Sequence, residues 1–430
     1  MNTFFMPTDL AVEACQAARR VGELEFSTAD FVFIGSVAKH LRDAAAIPLP
    51  PAQAAAAVAA ACALWRDPSY ERRRRTIAMI AANSGYSDAL LSESLDALLA
   101  PFTADALQSF AAKVKNEPRL IGFVIPGNVV GAGLHELAQA LIADAAVLVK
   151  SASAEPLFFA QLARTMGEVD PALAARISVL SFDRTQTELA RALQDNCDEM
   201  VVFGDDGTVD ALSRGGCVTG FGARLSGALL SREAIAPATS DAVADGLARD
   251  ITLFEQRGCL SPHHIFIEDP TQLEARRFAG CLAVALDRLA HMLPPPRALN
   301  LGVAAAIRAT REASRWRKLG GETVDLWEGN ALSWSVIYDA AIPFRVSPLY
   351  RTVFVTPVSD FADFKARLAA VSNRLEAFAV ADPANRLDDA RAWLSDAVVS
   401  YLASPGMMQS PPFEWPHGKG AFLKRIIARV

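Results

Sequence analysis

Between residues 119 and 214 the chain alternates short apolar runs with helical patterns, and a turn-forming residue follows each run. The runs occupy residues 120–125, 146–150, 177–182 and 199–203, and they are followed by Pro, Ser, Asp and Gly respectively. A strand, a turn and a helix repeated four times predict a parallel β-sheet with right-handed crossovers. Because such sheets bind ligands at the carboxyl ends of their strands, candidate binding residues should directly follow these runs.

The sequence on either side of this region has a different texture. Residues 1–105 are mostly helical in pattern, whereas residues 231–400 alternate again, with predicted strands at 264–267 and 352–357 and predicted helices at 271–293 and 361–368. The tail, residues 401–430, is rich in Pro and Gly and then ends in an apolar and basic stretch. We expect this tail to pack on another part of the protein or on a partner chain.

Composition excludes several classes of protein. Of the 430 residues 52% are hydrophobic, which rules out disorder for most of the chain. The net charge of −6 provides no electrostatic attraction for the phosphate backbone of a nucleic acid. The longest apolar run, residues 54–65, is shorter than the roughly 20 residues that span a bilayer, and acidic Asp9 and Glu13 do not suit a signal peptide. We therefore expect a soluble cytoplasmic protein that binds no nucleic acid and crosses no membrane.

The cysteines are scattered without CxxC pairs, which suggests neither a disulfide framework nor a zinc site. They are Cys15, Cys62, Cys197, Cys217, Cys259 and Cys281. Common nucleotide and hydrolase motifs are also missing, since Gly131-Ala132-Gly133 lacks the last glycine of GxGxxG, and no P-loop, HExxH or GxSxG sequence occurs. We expect reduced thiols and no metal site.

One cysteine has the surroundings of a nucleophile. Cys259 follows Gly258 and precedes a predicted strand that Pro262 introduces, so its thiol can be exposed on a turn where backbone donors stabilise the thiolate. The alternative is an inert packing cysteine. His263 and His264 follow on a predicted strand, where at most one of them can face the site, and a proton-shuttle role for that one stays open.

Four segments resemble, in order, motifs of the aldehyde dehydrogenase superfamily: FVIPGN (123–128), LIADAAVLVK (141–150), VVFGDD (201–206) and QRGC (256–259). More narrowly, CLSPHH, GFGARLSGALLS and the tail sequence PPFEWPHGKG resemble the fatty acyl-CoA reductases of bacterial luminescence, the LuxC family. The resemblance implies an aldehyde dehydrogenase-like α/β fold with a Rossmann-type parallel-sheet cofactor domain, an α/β catalytic domain and a helical N-terminal region. The corresponding segments are 1–105 (helical), 106–230 (nicotinamide cofactor), 231–400 (catalytic thiol) and 401–430 (C-terminal packing or oligomerisation).

The resemblance also implies roles for the residues in these motifs. Cys259 matches the catalytic nucleophile, and Asn128 matches the asparagine whose amide, together with the Cys259 N–H, forms an oxyanion hole. An ordinary turn residue after Pro126-Gly127 is the alternative for Asn128. The residues that match cofactor contacts are Ile125, Pro126, Lys150, Ser153, Phe203 and Gly204.

Three departures from the family motifs bear on the cofactor and the reaction. Ser153 stands where an acidic residue often binds the cofactor ribose, so a 2′-phosphate would meet less repulsion and NADPH is expected over NADH. Residues 224–228 (RLSGA) lack the glutamate that activates water in hydrolytic members, and residues 347–351 lack a second glutamate near the nicotinamide ribose. For Asp205 and Asp206, helix capping competes with a cofactor role.

Together these features predict NADPH-dependent reduction of an acyl-CoA or acyl-carrier thioester to an aldehyde through an acyl-enzyme on Cys259. A homo-oligomer and an acyl-protein synthetase or transferase are the expected protein partners. Two alternatives stay open: an aldehyde or acyl-phosphate dehydrogenase on the same fold, and a non-reducing acyl-transfer subunit of a fatty-acid reductase complex.

Overall fold

The structure is a computed structural model that describes residues 1–6, 18–21, 23–27, 30–213 and 216–427. Cys15 lies outside the described residues. The strands are β1 (Ala18–Val21), β2 (Leu24–Ser27), β3 (Leu120–Val124), β4 (Ala146–Ser151), β5 (Ile177–Ser181), β6 (Glu199–Phe203), β7 (Val218–Phe221), β8 (Leu225–Leu230), β9 (Pro262–Glu268), β10 (Val324–Glu328), β11 (Ser335–Asp339), β12 (Thr352–Val358), β13 (Leu375–Ala381) and β14 (Tyr401–Ala403).

The helices are α1 (Phe31–Ala45), α2 (Pro51–Arg66), α3 (Glu71–Ser84), α4 (Asp88–Leu99), α5 (Ala104–Ala111), α6 (Leu134–Ile142), α7 (Phe158–Val169), α8 (Pro171–Ala174), α9 (Thr187–Asp195), α10 (Asp206–Leu212), α11 (Ser240–Thr252), α12 (Leu273–Met292), α13 (Leu301–Leu319), α14 (Phe361–Leu368), α15 (Asp388–Trp393), α16 (His417–Gly420) and α17 (Leu423–Ile426). Among the helices of the described residues, none combines the length and apolar character that a membrane crossing requires.

The chain forms two compact units, and each is assembled from separate stretches of sequence. The first unit comprises Met1–Ser84, Leu98–Ala223 and Pro412–Val430, and the second comprises Gly85–Ala97 and Arg224–Pro411. The four functional segments inferred from the sequence remain a prediction.

The first unit contains a five-stranded parallel sheet in the order β5-β4-β3-β6-β7. Its four predicted strands are all present, and β7 is an additional edge strand. The strand residues are almost all buried because helices cover both faces, as continuous apolar runs require. The order reverses beside β3, with β4 on one side and β6 on the other, and such a switch point opens a crevice for a ligand at the carboxyl edge.

The N-terminal part of the first unit is helical, as predicted, but it also contains an antiparallel pair formed by β1 and β2. Helix α2 packs on α7 through Trp65, whose ring meets Phe158 edge-on at 5.2 Å and whose Nε1 donates to Thr165 Oγ1 at 2.9 Å. In the arginine run of α3, Arg72 pairs with Glu168 and buried Arg73 donates to the Arg66 carbonyl oxygen. These two arginines therefore support the helix packing.

The second unit contains a seven-stranded sheet in the order β10-β11-β12-β9-β8-β13-β14. Neighbouring strands run parallel except for the antiparallel edge strand β10. Strands β12, β9, β8 and β13 therefore begin at one common edge in the middle of the sheet. The turn that carries Cys259 directly precedes β9 and lies at this edge.

Residues 412–430 of the C-terminal tail belong to the first unit, where aromatic side chains anchor them, whereas residues 401–411 belong to the second unit. Phe413 is buried, and its ring packs edge-on against Phe102 at 5.3 Å and Phe110 at 5.2 Å. Its carbonyl oxygen accepts a hydrogen bond from Gln139 Nε2 at 2.9 Å. Lys113 pairs with Glu414 across the surface at 2.6 Å.

Candidate active site

The predicted cofactor residues of the first unit share the carboxyl edge of its sheet. Ile125 and Pro126 follow β3, Lys150 is the next-to-last residue of β4, and Phe203 ends β6. The Ile125 N–H donates to the Lys150 carbonyl oxygen at 3.0 Å, and the Gly204 N–H donates to the Phe221 carbonyl oxygen at 3.2 Å. The structure thus brings these residues to one edge, beside the switch point.

Two glycines permit close packing in the loop between β3 and α6. A Cβ atom on Gly127 would lie 2.9 Å from Ala154 Cβ and 3.0 Å from Ala152 Cβ, so the turns after β3 and β4 touch. Gly133 has φ +86°, and a Cβ there would lie 2.9 Å from both Ile125 and Phe203 side-chain atoms. The loop after β3 therefore packs against the ends of β4 and β6 more closely than a residue with a side chain would allow.

Lys150 offers the cation that a nucleotide would need. Burial lowers the pKa of its ammonium, and the charge of Asp183 opposes that effect. Its Nζ lies 5.4 Å from the centre of the Phe182 ring, and within the described part of the chain no acceptor hydrogen-bonds it. A half-buried ammonium with unused donors at the switch point fits a cofactor hydroxyl or phosphate, so the residues present suit a nicotinamide dinucleotide.

Ser153 has a negatively charged neighbour that its own position does not reveal. The Ser153 Oγ donates to the Phe182 carbonyl oxygen at 3.5 Å. Phe182 is followed by Asp183, which is exposed. Hydrogen bonds from Thr185 lower the pKa of Asp183, with Lys150 and Arg184 contributing through their charge. The edge therefore lacks a carboxylate at residue 153 but has one at residue 183.

The two aspartates after β6 serve the backbone. Asp205 caps α10 and accepts from the Thr208 N–H at 2.7 Å, and Asp206 Oδ1 accepts from the Ala223 N–H at 3.0 Å.

Asn128 lies exposed in the loop after β3. It belongs to the first unit, whereas Cys259 belongs to the second.

In the second unit an unusual backbone precedes Cys259. Phe254, Glu255 and Gln256 have φ of +55°, +53° and +60°, which is left-handed backbone that costs roughly 1 to 2 kcal/mol per residue. A second left-handed stretch, Leu349 to Arg351, lies against the first, and the Tyr350 N–H donates to the Glu255 carbonyl oxygen at 3.2 Å. Such strain persists only where surrounding contacts hold it, and it concentrates at functional sites.

Buried polar contacts hold these two stretches together. Arg351 Nε donates to Glu255 Oε2 at 3.1 Å, and the two side chains are 0% and 1% exposed. The side chain of Gln256 joins the start of β9 to the start of β12. Its Nε2 donates to the carbonyl oxygens of Pro262 and Thr352, both at 2.8 Å, and its Oε1 accepts from the Thr352 N–H at 2.9 Å. Sequence analysis missed these roles, although Gln256 lies within the QRGC motif.

Cys259 itself lies half-buried on the turn between the left-handed stretch and β9. The Ser261 N–H closes the turn by donating to the Gly258 carbonyl oxygen at 3.1 Å. Ser226, on the neighbouring strand β8, donates from Oγ to the Cys259 carbonyl oxygen at 2.6 Å, and it accepts from the Ala377 N–H at 3.1 Å. Contacts from two strands thus fix the backbone of the half-buried cysteine.

The two histidines after Cys259 support a loop. His263 Nδ1 accepts from the Ser347 N–H at 3.1 Å, and His264 Nδ1 accepts from the Arg345 N–H at 3.0 Å. Burial lowers the pKa of His263 to about 4, and it lowers the pKa of His264 well below its usual range. Both rings are therefore neutral near pH 7 and position the loop before β12.

The tail of the first unit contacts a predicted cofactor residue. The His417 ring stacks between two aromatic rings, with its centre 4.1 Å from that of Trp415 and 4.2 Å from that of Phe221. The centre of the Phe203 ring is 5.9 Å away. The Nδ1 atom of His417 lies 2.8 Å from Glu136 Oε1. Burial raises the pKa of Glu136, but the charge and hydrogen bond of His417 outweigh this and leave the pKa lowered. The tail thereby supports the carboxyl ends of β6 and β7.

Comparison with known proteins decides the family. The model of the acyl-CoA reductase (LuxC) family matches residues 111–429, which include both candidate edges and the tail. The chain belongs to the LuxC acyl-CoA reductase family. This confirms the family inferred from the motifs.

Curated members of the LuxC family are distant relatives. The chain is 24% identical over 327 residues to the long-chain acyl-protein thioester reductase of Aliivibrio fischeri, which covers 70% of this chain and 65% of that protein. The corresponding protein of Photorhabdus laumondii is 24% identical over 326 residues, covering 69% and 65%. The match thus spans less than two thirds of the length of these relatives.

Solved structures confirm the predicted aldehyde dehydrogenase-like fold of this LuxC-family chain. An NAD-dependent benzaldehyde dehydrogenase from Corynebacterium glutamicum superposes with a TM-score of 0.64 at 15% identity, covering 90% of each chain. An NADP-dependent glyceraldehyde-3-phosphate dehydrogenase from Bacillus halodurans, solved with NADP, gives a TM-score of 0.66 at 14% identity, covering 89% of this chain and 84% of that one.

Proposed function

We propose that this chain reduces an acyl thioester to an aldehyde through an acyl-enzyme on Cys259. The observation that carries the proposal is the Cys259 turn, where a strained backbone and the Ser226 hydrogen bond hold a half-buried cysteine directly before β9. Membership of the LuxC family supports this choice of chemistry. Acyl-CoA and acyl-carrier thioesters are the proposed substrates.

In the proposed reaction the Cys259 thiolate attacks the thioester carbonyl carbon. A new C–S bond forms to the enzyme, the bond to the carrier sulfur breaks, and the carrier leaves as a thiol after taking a proton. We propose Asn128 as an amide donor to the developing oxyanion, together with the Cys259 N–H. After reduction of the acyl carbon, collapse of the thiohemiacetal frees the aldehyde and restores the thiol.

A bound reduced nicotinamide would supply the hydride for this reduction. We propose that Lys150 and Ser153 bind the adenosine ribose and that Ile125, Pro126, Phe203 and Gly204 line the path of the cofactor. NADPH is the proposed form. The unused donors of Lys150 and its place at the switch point of the sheet support this assignment.

No carboxylate follows Arg224 in the strand β8, whose start supports the Cys259 turn. An acyl-enzyme there would lack the base that activates water, which favours thioester reduction over aldehyde oxidation to an acid. An aldehyde or acyl-phosphate dehydrogenase is the second candidate, and rates with thioester, aldehyde and acyl phosphate distinguish them. A homo-oligomer and an acyl-protein synthetase or transferase partner belong to the same proposal.

The test is intact-protein mass spectrometry with a panel of acyl-CoAs, with and without NADPH. Wild type should gain a hydroxylamine-labile acyl mass that disappears when NADPH is added, with release of aldehyde. Cys259→Ala should show neither the adduct nor the aldehyde, and Asn128→Ala should form aldehyde about 100- to 1000-fold more slowly. The matched control Cys281→Ala, on α12 of the same unit, should behave as wild type.

Acylation of the Cys259→Ala variant would remove Cys259 from its role. An adduct that persists in the presence of NADPH would instead indicate an acyl-transfer subunit that does not reduce its substrate. An Asn128→Ala variant that loses only thermal stability would show that Asn128 is a turn residue.

A further inference from the structure

Two arginines stand side by side at the edge of the second sheet where Cys259 lies. Leu225 of β8 and Leu375 of β13 form the first residue pair of these two parallel strands. Arg224 and Arg374 each directly precede that pair, and Arg374 is the last residue of a 3₁₀ turn, Ser372–Arg374. Neither arginine lies within a strand, but two positive charges at neighbouring strand starts both attract negative charge. An anion bound beside them would therefore be stabilised by both.

The protein itself does not supply that anion. Within the described residues no carboxylate lies within 4 Å of the guanidinium of Arg224 or Arg374, whereas other arginines of the same unit pair with carboxylates. Glu376, two residues beyond Arg374, is buried, and Ser400 Oγ donates to it. Arg224 is half-exposed and Arg374 is exposed, so both can reach a ligand from solvent.

Arg224 is also held in place. Its Nη1 donates to the carbonyl oxygen of Asn373 at 3.0 Å, which ties the start of β8 to the residue before Arg374. One donor is used in this contact, and a guanidinium has five, so most of the fork remains available. The side chain is thus oriented beside its neighbour.

The arginine pair lies near the proposed nucleophile along the same edge. Ser226, two residues after Arg224, donates to the Cys259 carbonyl oxygen at 2.6 Å and accepts from the Ala377 N–H at 3.1 Å. One serine therefore connects the Cys259 turn to both strands that the arginines precede. The charge of Arg374 reaches this region, since it adds to burial in lowering the pKa of His263.

We propose that Arg224 and Arg374 bind a phosphate of the thioester carrier and so orient the thioester toward Cys259. This inference rests on the proposed function, because the carrier is the leaving group of that reaction. A planar guanidinium fork matches phosphate oxygens with two parallel hydrogen bonds, which suits a pantetheine phosphate better than it suits an apolar acyl chain. Coenzyme A and a phosphopantetheinylated carrier protein share this chemistry.

The test compares two thioesters of the same acyl group, acyl-CoA and the phosphate-free acyl-N-acetylcysteamine. The measured quantity is the ratio of their kcat/KM values for wild type, Arg224→Gln, Arg374→Gln and the double variant. Each single substitution should lower the ratio by about 10- to 100-fold, since a hydrogen bond to a charged group is lost. Arg224→Lys and Arg374→Lys should retain most of the ratio, and Arg308→Gln, an exposed arginine on α13, should not change it.

The same variants tested with an acyl-loaded carrier protein identify the source of the phosphate. If the glutamine variants lose kcat/KM to the same extent with acyl-CoA and with the acyl-loaded carrier protein, the arginines bind the pantetheine phosphate. If they lose kcat/KM with acyl-CoA alone, the arginines bind the nucleotide phosphates of CoA. A ratio unchanged in both glutamine variants, with wild-type melting temperatures, overturns the proposal.

Calorimetric titration with free CoA tests phosphate binding by the two arginines independently of whether the protein reduces a thioester. A wild type that reduces neither thioester contradicts the function, while weaker CoA binding by the glutamine variants would still support the arginine pair. Equal CoA affinity of wild type and both glutamine variants contradicts the pair even if thioester reduction is found.

Discussion

Ser153 and Asp183 set the charge beyond the end of β4, where the cofactor is proposed to bind. Ser153 supplies only a hydroxyl, while Asp183 places its carboxylate close enough to Lys150 to act on the pKa of the ammonium. Hydrogen bonds from Thr185 to Asp183, at 2.9 Å from N and 2.7 Å from Oγ1, hold that carboxylate ionised. If the cofactor binds here as proposed, its preference should therefore depend on both Ser153 and Asp183, of which only Ser153 was apparent in the motif.

The first prediction at this scale concerns Ser153→Glu. A carboxylate at residue 153 should repel a 2′-phosphate, so the ratio of kcat/KM for NADPH over NADH should fall by about tenfold for each 1.4 kcal/mol of repulsion. Asp183→Asn is the matched variant that removes a charge from the same edge, and it should raise the ratio. Ratios that neither substitution changes would show that the 2′-position is recognised elsewhere.

Strand β9 shows how burial makes an element sensitive to pH. The pKa of His263 is lowered from 6.5 to about 4 by burial and by the charge of Arg374, so only the unfolded chain takes up this proton between these values. Stability from this group is therefore complete above pH 6.5 and is lost progressively as the pH falls toward 4, by about 3 kcal/mol in total. His264, on the same strand, contributes in the same direction.

The check is the melting temperature of wild type and His263→Gln between pH 8 and pH 4. Glutamine keeps an acceptor for the Ser347 N–H but does not titrate, so the difference between the two proteins should narrow or reverse as the pH falls. Taking the difference cancels the other titrating groups, such as Asp250, whose pKa is raised to about 7 by burial. A difference that is constant with pH would contradict the assignment.

Strands β3 to β6 of the first sheet were predictable because each is a short apolar run that a turn residue ends, whereas the edge strand β7, which contains Gly220, was not predicted. Strand β8 was missed because Gly227 interrupts it and the residues just before it have the composition of a turn. In the site, Cys259 and Lys150 stand out locally, since each is a reactive or charged group beside an apolar run. The Glu255–Arg351 pair could not be predicted, because its members lie 96 residues apart and meet only when β9 and β12 become neighbours in the sheet.

At the scale of the whole molecule, the first unit is completed by the last part of the chain. Phe413 fills a space between Phe102, Phe110 and His135, and truncating such a buried aromatic residue costs about 3 to 5 kcal/mol. Phe413→Ala should therefore shift the denaturation midpoint strongly. Glu414→Ala is the matched control next to it, and it breaks only the surface pair with Lys113, for about 1 kcal/mol or less. Equal shifts for the two variants would mean that Phe413 does not anchor the tail.

The return of the tail to the first unit has a consequence for synthesis of the protein on the ribosome. Strands β3 to β7 are complete once Phe221 has emerged, but Phe413, Trp415 and Phe422 follow only after residues 224–411 have been made. At about 5 to 20 residues per second this interval lasts on the order of 10 to 40 s. Throughout it the nascent first unit exposes the aromatic surface that the tail later covers, and this surface is where a chaperone would meet the growing chain.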